Sequence, residues 1–422
     1  MNDEIKRVNW AGNYQFQAPN FAEPDTVEEL QTLVAVANKV SVLGSTHSFN
    51  DIADSPQLLL SLQQIPRTMT LDPAAATVTI SSNVRYGELA LYLEAQGFAL
   101  PNLASLPHIS VVGACATGTH GSGVGNPCLA APVTGLTFIA ADGELVTWRR
   151  GEAANFPGAV VNLGGLGVIT EMELAVQPTF AVQQYVYQQL PWQTVWQQLG
   201  DIMATAYSVS LFTSWDEAAV EQLWVKALTT EVIPAGPLYG AQPASQQLHP
   251  CSTDAASCTE QLGEPGPWFR RLPHFKLEYM PSVGAELQTE YLVPASHGVA
   301  ALQALFELRE QLHPLLYISE IRTVKADDLW LSPAYATDSL AIHFTWKPDW
   351  AQVQPLLPQI EAALAPFNAR PHWGKLFSLS PAGLEAVYPQ LPAFRKMLAA
   401  VDPAGKFRNA YLSRNLYPET EA

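Results

Sequence analysis

The sequence predicts a two-domain α+β protein, and three observations carry that prediction. Its 422 residues exceed the size at which a single hydrophobic core keeps growing, so the chain is expected to divide. A first block runs helix, strands, helix and hairpin as far as Pro178, whereas the second alternates strands with helices in an order that suits an antiparallel sheet covered on one face. With 48% hydrophobic and 14% charged residues, the composition is that of a folded chain and not of a disordered one.

In the first block, Pro24-Asp25-Thr26 opens a helix whose apolar positions Val27, Leu30, Leu33, Val34 and Ala37 recur near the 3.6-residue period. Residues 40–43 form a strand, 44–50 a polar turn and 58–62 a second apolar strand. Residues 68–71 and 78–80 flank the DPAAA turn as a hairpin. Residues 85–96 read as a helix with Leu89, Tyr92 and Leu93 inward and Gly97 as its C-terminal cap. The stretch 100–126 is a loop rich in Gly, Ser, Thr and His, and a loop that long inside a compact domain is usually functional. Residues 137–140 and 145–148 pair through Asp142-Gly143, and Gly164-Gly165-Leu166-Gly167 leads into a strand over 168–176.

In the second block, 234–268 carries PAGP, CSTDAASC and GEPGPW and reads as a long surface excursion. A strand over 289–292, a helix over 298–312, strands over 316–324 and 340–346 and a helix over 350–365 follow. The expected division is 1–178, 179–370 and a final segment 371–422.

Lys and Arg number 22 against 39 Asp and Glu, a net charge of −17. Such a surface repels phosphate backbones and anionic lipid headgroups, so neither a nucleic acid nor a membrane partner is expected. No apolar run approaches the ~20 residues of a transmembrane helix. The opening MNDEIKRVNW lacks the apolar core of a signal peptide, so a cytoplasmic monomer is expected. Cys115, Cys128, Cys251 and Cys258 show no C-x-x-C pairing, so no metal site is expected, and a local bond between Cys251 and Cys258 stays open.

Four segments carry candidate chemistry. The turn Gly44-Ser45-Thr46-His47-Ser48-Phe49-Asn50 places a histidine among small residues that let backbone N–H groups approach a ligand; a structural hydrogen-bonder is the competing role for His47. Gly113-Ala114-Cys115-Ala116-Thr117-Gly118-Thr119-His120 has the same make-up and suits a pyrophosphate, although the G-x-G-x-x-G fingerprint is absent and a plain flexible loop fits as well. Along a strand, Glu320 and Arg322 project to one face, and so do His343 and Thr345 opposite the apolar Ile342, Phe344 and Trp346. These polar groups line either a cavity wall or a solvent-facing sheet with an ordinary ion pair. Pro371-His372-Trp373-Gly374-Lys375 lies where the second block hands the chain back to the first.

Together these segments resemble the bacterial alditol oxidases of the vanillyl-alcohol oxidase flavoprotein superfamily. The similarity lies in HSFNDIA at His47, LPNLASLPHIS at Leu100, TGTHGSGVGN at Thr117, WLSPAY at Trp330, HFTW at His343 and PHWGK at Pro371, and it spans nearly the whole chain. It implies a vanillyl-alcohol-oxidase-like fold: a bipartite, PCMH-type FAD domain made of 1–178 and 371–422, with a cap made of 179–370. It also implies FAD bonded covalently through its 8α-methyl carbon to His47. Further FAD contacts map to Ser41, Val42, Leu43, Gly44, Ser45, Thr46, Ser48, Ser105, Ser110, Gly113, Ala114, Thr117, Gly118, Thr119 and His120, with Ile169 and His372 as additional positions. The polyol site maps to Ser105, Glu320, Arg322, His343, Thr345 and Lys375. Lys375 and Arg322 would hold the C1 oxygen, and Glu320 or His343 would take its proton, as xylitol or sorbitol is oxidised and O2 becomes hydrogen peroxide. L-gulonolactone-type oxidases or dehydrogenases share H-W-[GA]-K and Glu-x-Arg and stand as the alternative. A noncatalytic flavin- or sugar-binding protein is the alternative of another class.

Overall fold

The computed structural model describes residues 7–216, 218–279 and 285–417. The first six residues of the opening read above for a leader lie outside them.

The chain begins with β1 (Asn20–Ala22), α1 (Val27–Val36), β2 (Val40–Leu43) and β3 (Leu58–Ser61); the three strands form a parallel sheet in the order β1-β3-β2. Thr26 caps α1 by accepting from Glu29 N at 3.2 Å, and Leu30 and Val34 are its buried positions. A second, five-stranded sheet contains the two predicted hairpins, β4 (Met69–Asp72) with β5 (Thr77–Ser81) and β6 (Val133–Ile139) with β7 (Leu145–Arg149). The strand β8 (Val168–Ala175) joins them at the centre of this antiparallel sheet. α2 (Tyr86–Ala95) ends before Gly97, whose φ of 78° is the left-handed conformation expected of a C-terminal cap. Inside the loop predicted over 100–126 sits one short helix, α3 (Val111–Ala116).

The second half is organised by one large antiparallel sheet in the order β9 (Ala181–Pro191), β11 (Ala219–Leu228), β10 (Ser208–Thr213), β13 (Leu316–Val324), β14 (Ser339–Trp346) and β12 (Leu287–Pro294). Two-residue edge pieces extend it, and the last, Arg370–Pro371, pairs with β12. One face bears Leu211, Leu223, Val225, Ile321, Ile342 and Val293, packed with α4 (Trp192–Met203), α5 (Gly298–Phe306) and α6 (Leu357–Leu364) into one apolar core. The opposite face looks towards the 100–126 loop. Ser122 Oγ donates to Val209 O, Tyr207 OH donates to Pro101 O, and Gly123 N donates to Thr323 O at 2.9 Å.

No element is predicted over 179–233, where β9, α4, β10 and β11 lie. All six residues of β10 are buried, so the polar and apolar alternation that marks a one-sided strand is missing there. The helix predicted over 298–312 breaks at Glu307–Leu308 into α5 and a short piece, Arg309–Leu312. The helix predicted over 350–365 is interrupted by a 3-10 turn, Gln354–Leu356, because Pro355 and Pro358 lack the N–H that continues an α-helix. The 234–268 excursion runs along the β9 edge and buries Cys258, Gln261 and Trp268. All four cysteines are free, Cys251 exposed and Cys258 buried. No helix among the described residues is long and apolar enough to cross a membrane.

After Pro371 the chain returns to the first half. There Trp373, Leu384, Tyr388, Phe394 and Leu412 join the core built on Ile80, Leu89, Phe138 and Leu174. The closing helices are α7 (Pro381–Val387), α8 (Leu391–Val401) and α9 (Ala410–Leu416).

Candidate active site

At the end of β2 the chain turns sharply, and Thr46 adopts a φ of 58°, rare for a β-branched residue. Its carbonyl accepts from Trp10 N at 2.9 Å, and the Trp10 ring stacks on His47 at 5.3 Å with 16° between planes. His47 Nδ1–H donates to Ser45 O at 2.7 Å, leaving Nε2 buried without a partner. Burial lowers the His47 pKa to about 4, so the imidazole is neutral at pH 7 with its lone pair on Nε2.

The two glycine-rich segments converge on Ser110, whose N–H donates to Ser45 Oγ at 3.0 Å. A Cβ on Gly44 would fall 2.7 Å from Ser110 Oγ, and one on Gly113 would fall 2.6 Å from it, so a side chain at either position would make the Ser110 hydroxyl rotate away. Ser41, Val42, Leu43, Gly44, Ser110, Gly113 and Ile169 line one cleft. Asn162, Gly164 and Asn409 complete it from segments assigned no role in the sequence. An unpartnered buried nitrogen and a cleft floored by accessible peptide groups fit a flavin dinucleotide.

Other predicted contacts fall elsewhere. Ala114 is packed in the core, and the Thr117 and Thr119 hydroxyls meet each other at 3.2 Å. Gly118 lies where a Cβ would sit 2.8 Å from Pro333 Cδ. Ser105 uses its carbonyl to accept from His274 N and Phe275 N, at 3.2 and 3.3 Å. Ser48 packs against Gly374, and the carbonyl of Gly374 accepts from Phe49 N at 2.8 Å. Asn50 Nδ2 donates to Trp373 O at 2.9 Å and Lys375 O at 2.8 Å, which ties the histidine turn to the PHWGK segment.

The polar face of the large sheet completes the site. Glu290 on β12, His343 on β14 and Glu320 on β13 occupy one row of paired positions, and Arg322 stands one step along. Glu320, Arg322 and His343 are buried, so this face is not a solvent-exposed sheet surface; Thr345 is half-buried. Glu290 accepts from Arg322 at 2.6 Å and from Lys375 at 2.7 Å, and its Oε1 lies 3.3 Å from His120 Nε2. Burial opposes ionisation of Glu290, but Lys375, His120 and Arg322 overcome it and hold the carboxyl well below its usual range. Burial in turn lowers the Lys375 pKa, against the pull of Glu290. Glu320 accepts from His274 Nε2 at 2.7 Å and lies 3.6 Å from Arg322 Nε; despite burial, Arg322 and His274 keep it ionised. His343 donates from Nε2 to Gln288 Oε1 at 3.0 Å, and burial makes it a neutral imidazole with its Nδ1 lone pair free to accept. His372 is buried, its pKa lowered to about 3 by desolvation, and its Nδ1 accepts from Gly374 N at 3.1 Å.

Sequence reasoning missed Glu290, Lys226 and His274. A lysine inside LWVKAL of β11 was an available signal; Glu290 follows the polar Gln288 and Thr289 in β12, where nothing singles it out, and His274 lies in an irregular segment that offers none.

Two family models match this chain. One described as an FAD binding domain covers residues 18–149, and one described as D-arabinono-1,4-lactone oxidase covers 284–415. Among solved structures, a cholesterol oxidase from B. sterolicum shares the fold with a TM-score of 0.78 at 14% identity, over 98% of this chain and 96% of its own. Fold and matches define an FAD-dependent oxidase that acts on CH–OH groups, with a CH–OH substrate and O2 as its reactants. An alditol oxidase from Streptomyces sp. strain IKD472 is 46% identical over 96% of this chain and 97% of its own. The chain belongs to the alditol oxidase family. An L-gulonolactone oxidase from Scyliorhinus torazame is more distant, at 25% identity over 97% of this chain and 98% of its own.

Proposed function

We propose that this protein oxidises the terminal C1 hydroxyl of polyols such as xylitol and sorbitol to the aldose, reducing O2 to hydrogen peroxide, on an FAD bonded to His47. In this reading residues 1–178 and 371–422 hold the FAD and 179–370 cap it. The observation that carries the reading is the wall of buried Glu320, Arg322 and His343 with half-buried Lys375, beside the histidine turn. A polyol offers a hydroxyl on every carbon, and buried charged groups that both donate and accept are suited to such a chain.

FAD, when bound, supplies the two-electron acceptor that takes the C1 hydride and passes the electrons on to O2. The protein's part is to hold the alcohol and move its proton. Lys375 and Arg322 donate to the C1 oxygen and stabilise the negative charge that develops on it. His343 Nδ1 takes the hydroxyl proton, since its Nε2–H is already committed to Gln288. Glu320, held ionised beside Arg322, acts as an acceptor for substrate hydroxyls. Thr345 and Ser105 border the remainder of the chain. His47, neutral and with a free ring lone pair, is able to bond the flavin 8α carbon.

The D-arabinono-1,4-lactone oxidase model over 284–415 favours an aldonolactone as the second reading. Incubation with xylitol, sorbitol and L-gulono-1,4-lactone, following peroxide, separates the two: signal with the lactone alone refutes the polyol reading. For the covalent bond, denatured protein on a gel should fluoresce under ultraviolet light, and His47→Ala should abolish the band. A band that survives the substitution places the link elsewhere.

A further inference from the structure

On the β10 and β11 side of Glu320, away from Glu290, lies a buried ionisable pair that takes no part in the chemistry above. Lys226 on β11 is 1% exposed. Its ammonium donates to Leu272 O at 2.5 Å, to Pro273 O at 3.2 Å and to His274 Nδ1 at 3.1 Å. Three N–H bonds thus meet three acceptors, which is the full capacity of a lysine. Burial pulls its pKa down to about 7 while Glu320 pulls it up; the Glu320 carboxylate beyond His274 can only accept, which puts the ring proton on Nε2 and leaves Nδ1 to take a bond from the ammonium.

An ammonium can only donate, so His274 Nδ1 must accept, and the ring proton must sit on Nε2. From there it donates to Glu320 Oε1 at 2.7 Å. The opposite tautomer would turn a lone pair towards the carboxylate, and Lys226 excludes it. Phe212 and Trp224 stand edge-on to the His274 ring at 5.3 and 5.2 Å and fix its plane. With Oε1 committed, Glu320 Oε2 is left 3.6 Å from Arg322 Nε, itself buried without a partner. One hydroxyl placed between them would donate to Oε2 and accept from Nε–H.

We propose that Lys226 and His274 are positioning residues: they lock Glu320 Oε1 and so present Oε2, beside Arg322 Nε, to a single substrate hydroxyl. The proposal rests on the reading of Glu320 as a polyol contact. The other groups that bear on Glu320 are Arg322 on its own strand, His343 on β14, Glu290 on β12 and Lys375 from the returning segment.

The test uses flavin-loaded Lys226→Met, His274→Leu and His274→Gln, assayed for peroxide with an alditol across a range of pH. Lys226→Met and His274→Leu should raise KM by about tenfold or more with a much smaller change in kcat. His274→Leu loses the donor to Glu320, and Lys226→Met loses the ammonium that holds that donor's tautomer and favours the carboxylate's charge, so both should move the acid limb of kcat/KM to higher pH. His274→Gln keeps an amide N–H for Glu320 and should restore both readouts. A flavin-loaded Lys226→Met with the parent KM and pH profile overturns the proposal. Should Lys226→Met not accumulate as folded protein, the two His274 variants decide, and equal behaviour of Leu and Gln overturns it. If the parent enzyme turns over L-gulono-1,4-lactone and no alditol, the polyol reading falls by itself, and the variants are read in the same way on the lactone hydroxyls.

Discussion

Glu290 shows how much a single side chain can organise. It is 1% exposed, yet it holds Arg322, Lys375 and His120 around two oxygens. Removing its charge leaves two buried cations with one acceptor fewer, and hydrogen bonds to charged groups are worth about 1.5–3 kcal/mol. Glu290→Gln should therefore lower kcat/KM by roughly tenfold to a hundredfold and reduce the denaturant midpoint; steady-state peroxide assays and urea unfolding check both. The buried histidines set a pH dependence of a definite sign. His47 and His274 have pKa values lowered to about 4, and His372 to about 3, from an ordinary 6.5, chiefly because burial disfavours the charged ring. Their unfolded forms bind protons that the folded forms refuse, so stability should be full above pH 6.5 and fall as pH drops towards 4. The slope should reach up to about 1.4 kcal/mol per pH unit for each ring, measurable by urea unfolding at several pH values. His47 was legible as a residue because glycine and serine crowd around it; the role of Glu290 was hidden because one carboxylate next to Gln288 and Thr289 carries no spacing pattern.

At the level of elements, β13 and β14 divide their labour by alternation. Ile321 and Ile342 face the helices, and Glu320, Arg322 and His343 face the site. That period of two is why both strands were predicted at nearly their observed bounds, and burial removes the solvent-facing alternative left open by pattern alone. Ile321→Ala should cost about 2–5 kcal/mol of stability through the cavity it leaves. Because it points away from the polar face, KM should change little; a large rise in KM would mean that the two faces are coupled. β10 and β11 escaped prediction because they are buried almost throughout, so Lys226 entered the molecule unannounced. Prolines explain the break in the helix over 350–365, a local veto that an apolar period does not register.

Across the whole molecule, the site is a meeting of three distant stretches: the histidine turn, the large sheet and the PHWGK segment. Asn50 grips the carbonyls of Trp373 and Lys375, while Leu376 N donates to Gln288 O at 2.9 Å on the sheet. Asn50→Ala should leave the flavin attached but loosen Lys375, lowering kcat/KM by about tenfold or more; unchanged kinetics would show that the sheet alone positions the lysine. Each of these stretches was visible as a motif. Their convergence was not, because hydrogen bonds spanning 323 and 325 residues leave no trace in local pattern.

The return of residues 371–416 to the first half also sets a schedule for biosynthesis. Trp373, Tyr388, Phe394 and Leu412 complete a core whose other members lie as far back as Ile52. A ribosome has already made every strand of the large sheet before the ammonium of Lys375 exists at all. The first half must therefore wait, part-built, for these later pieces, and a chain that stops before residue 371 lacks both the closing wall of that core and the lysine. The closing wall of that core and the site's lysine arrive together, on one stretch of chain.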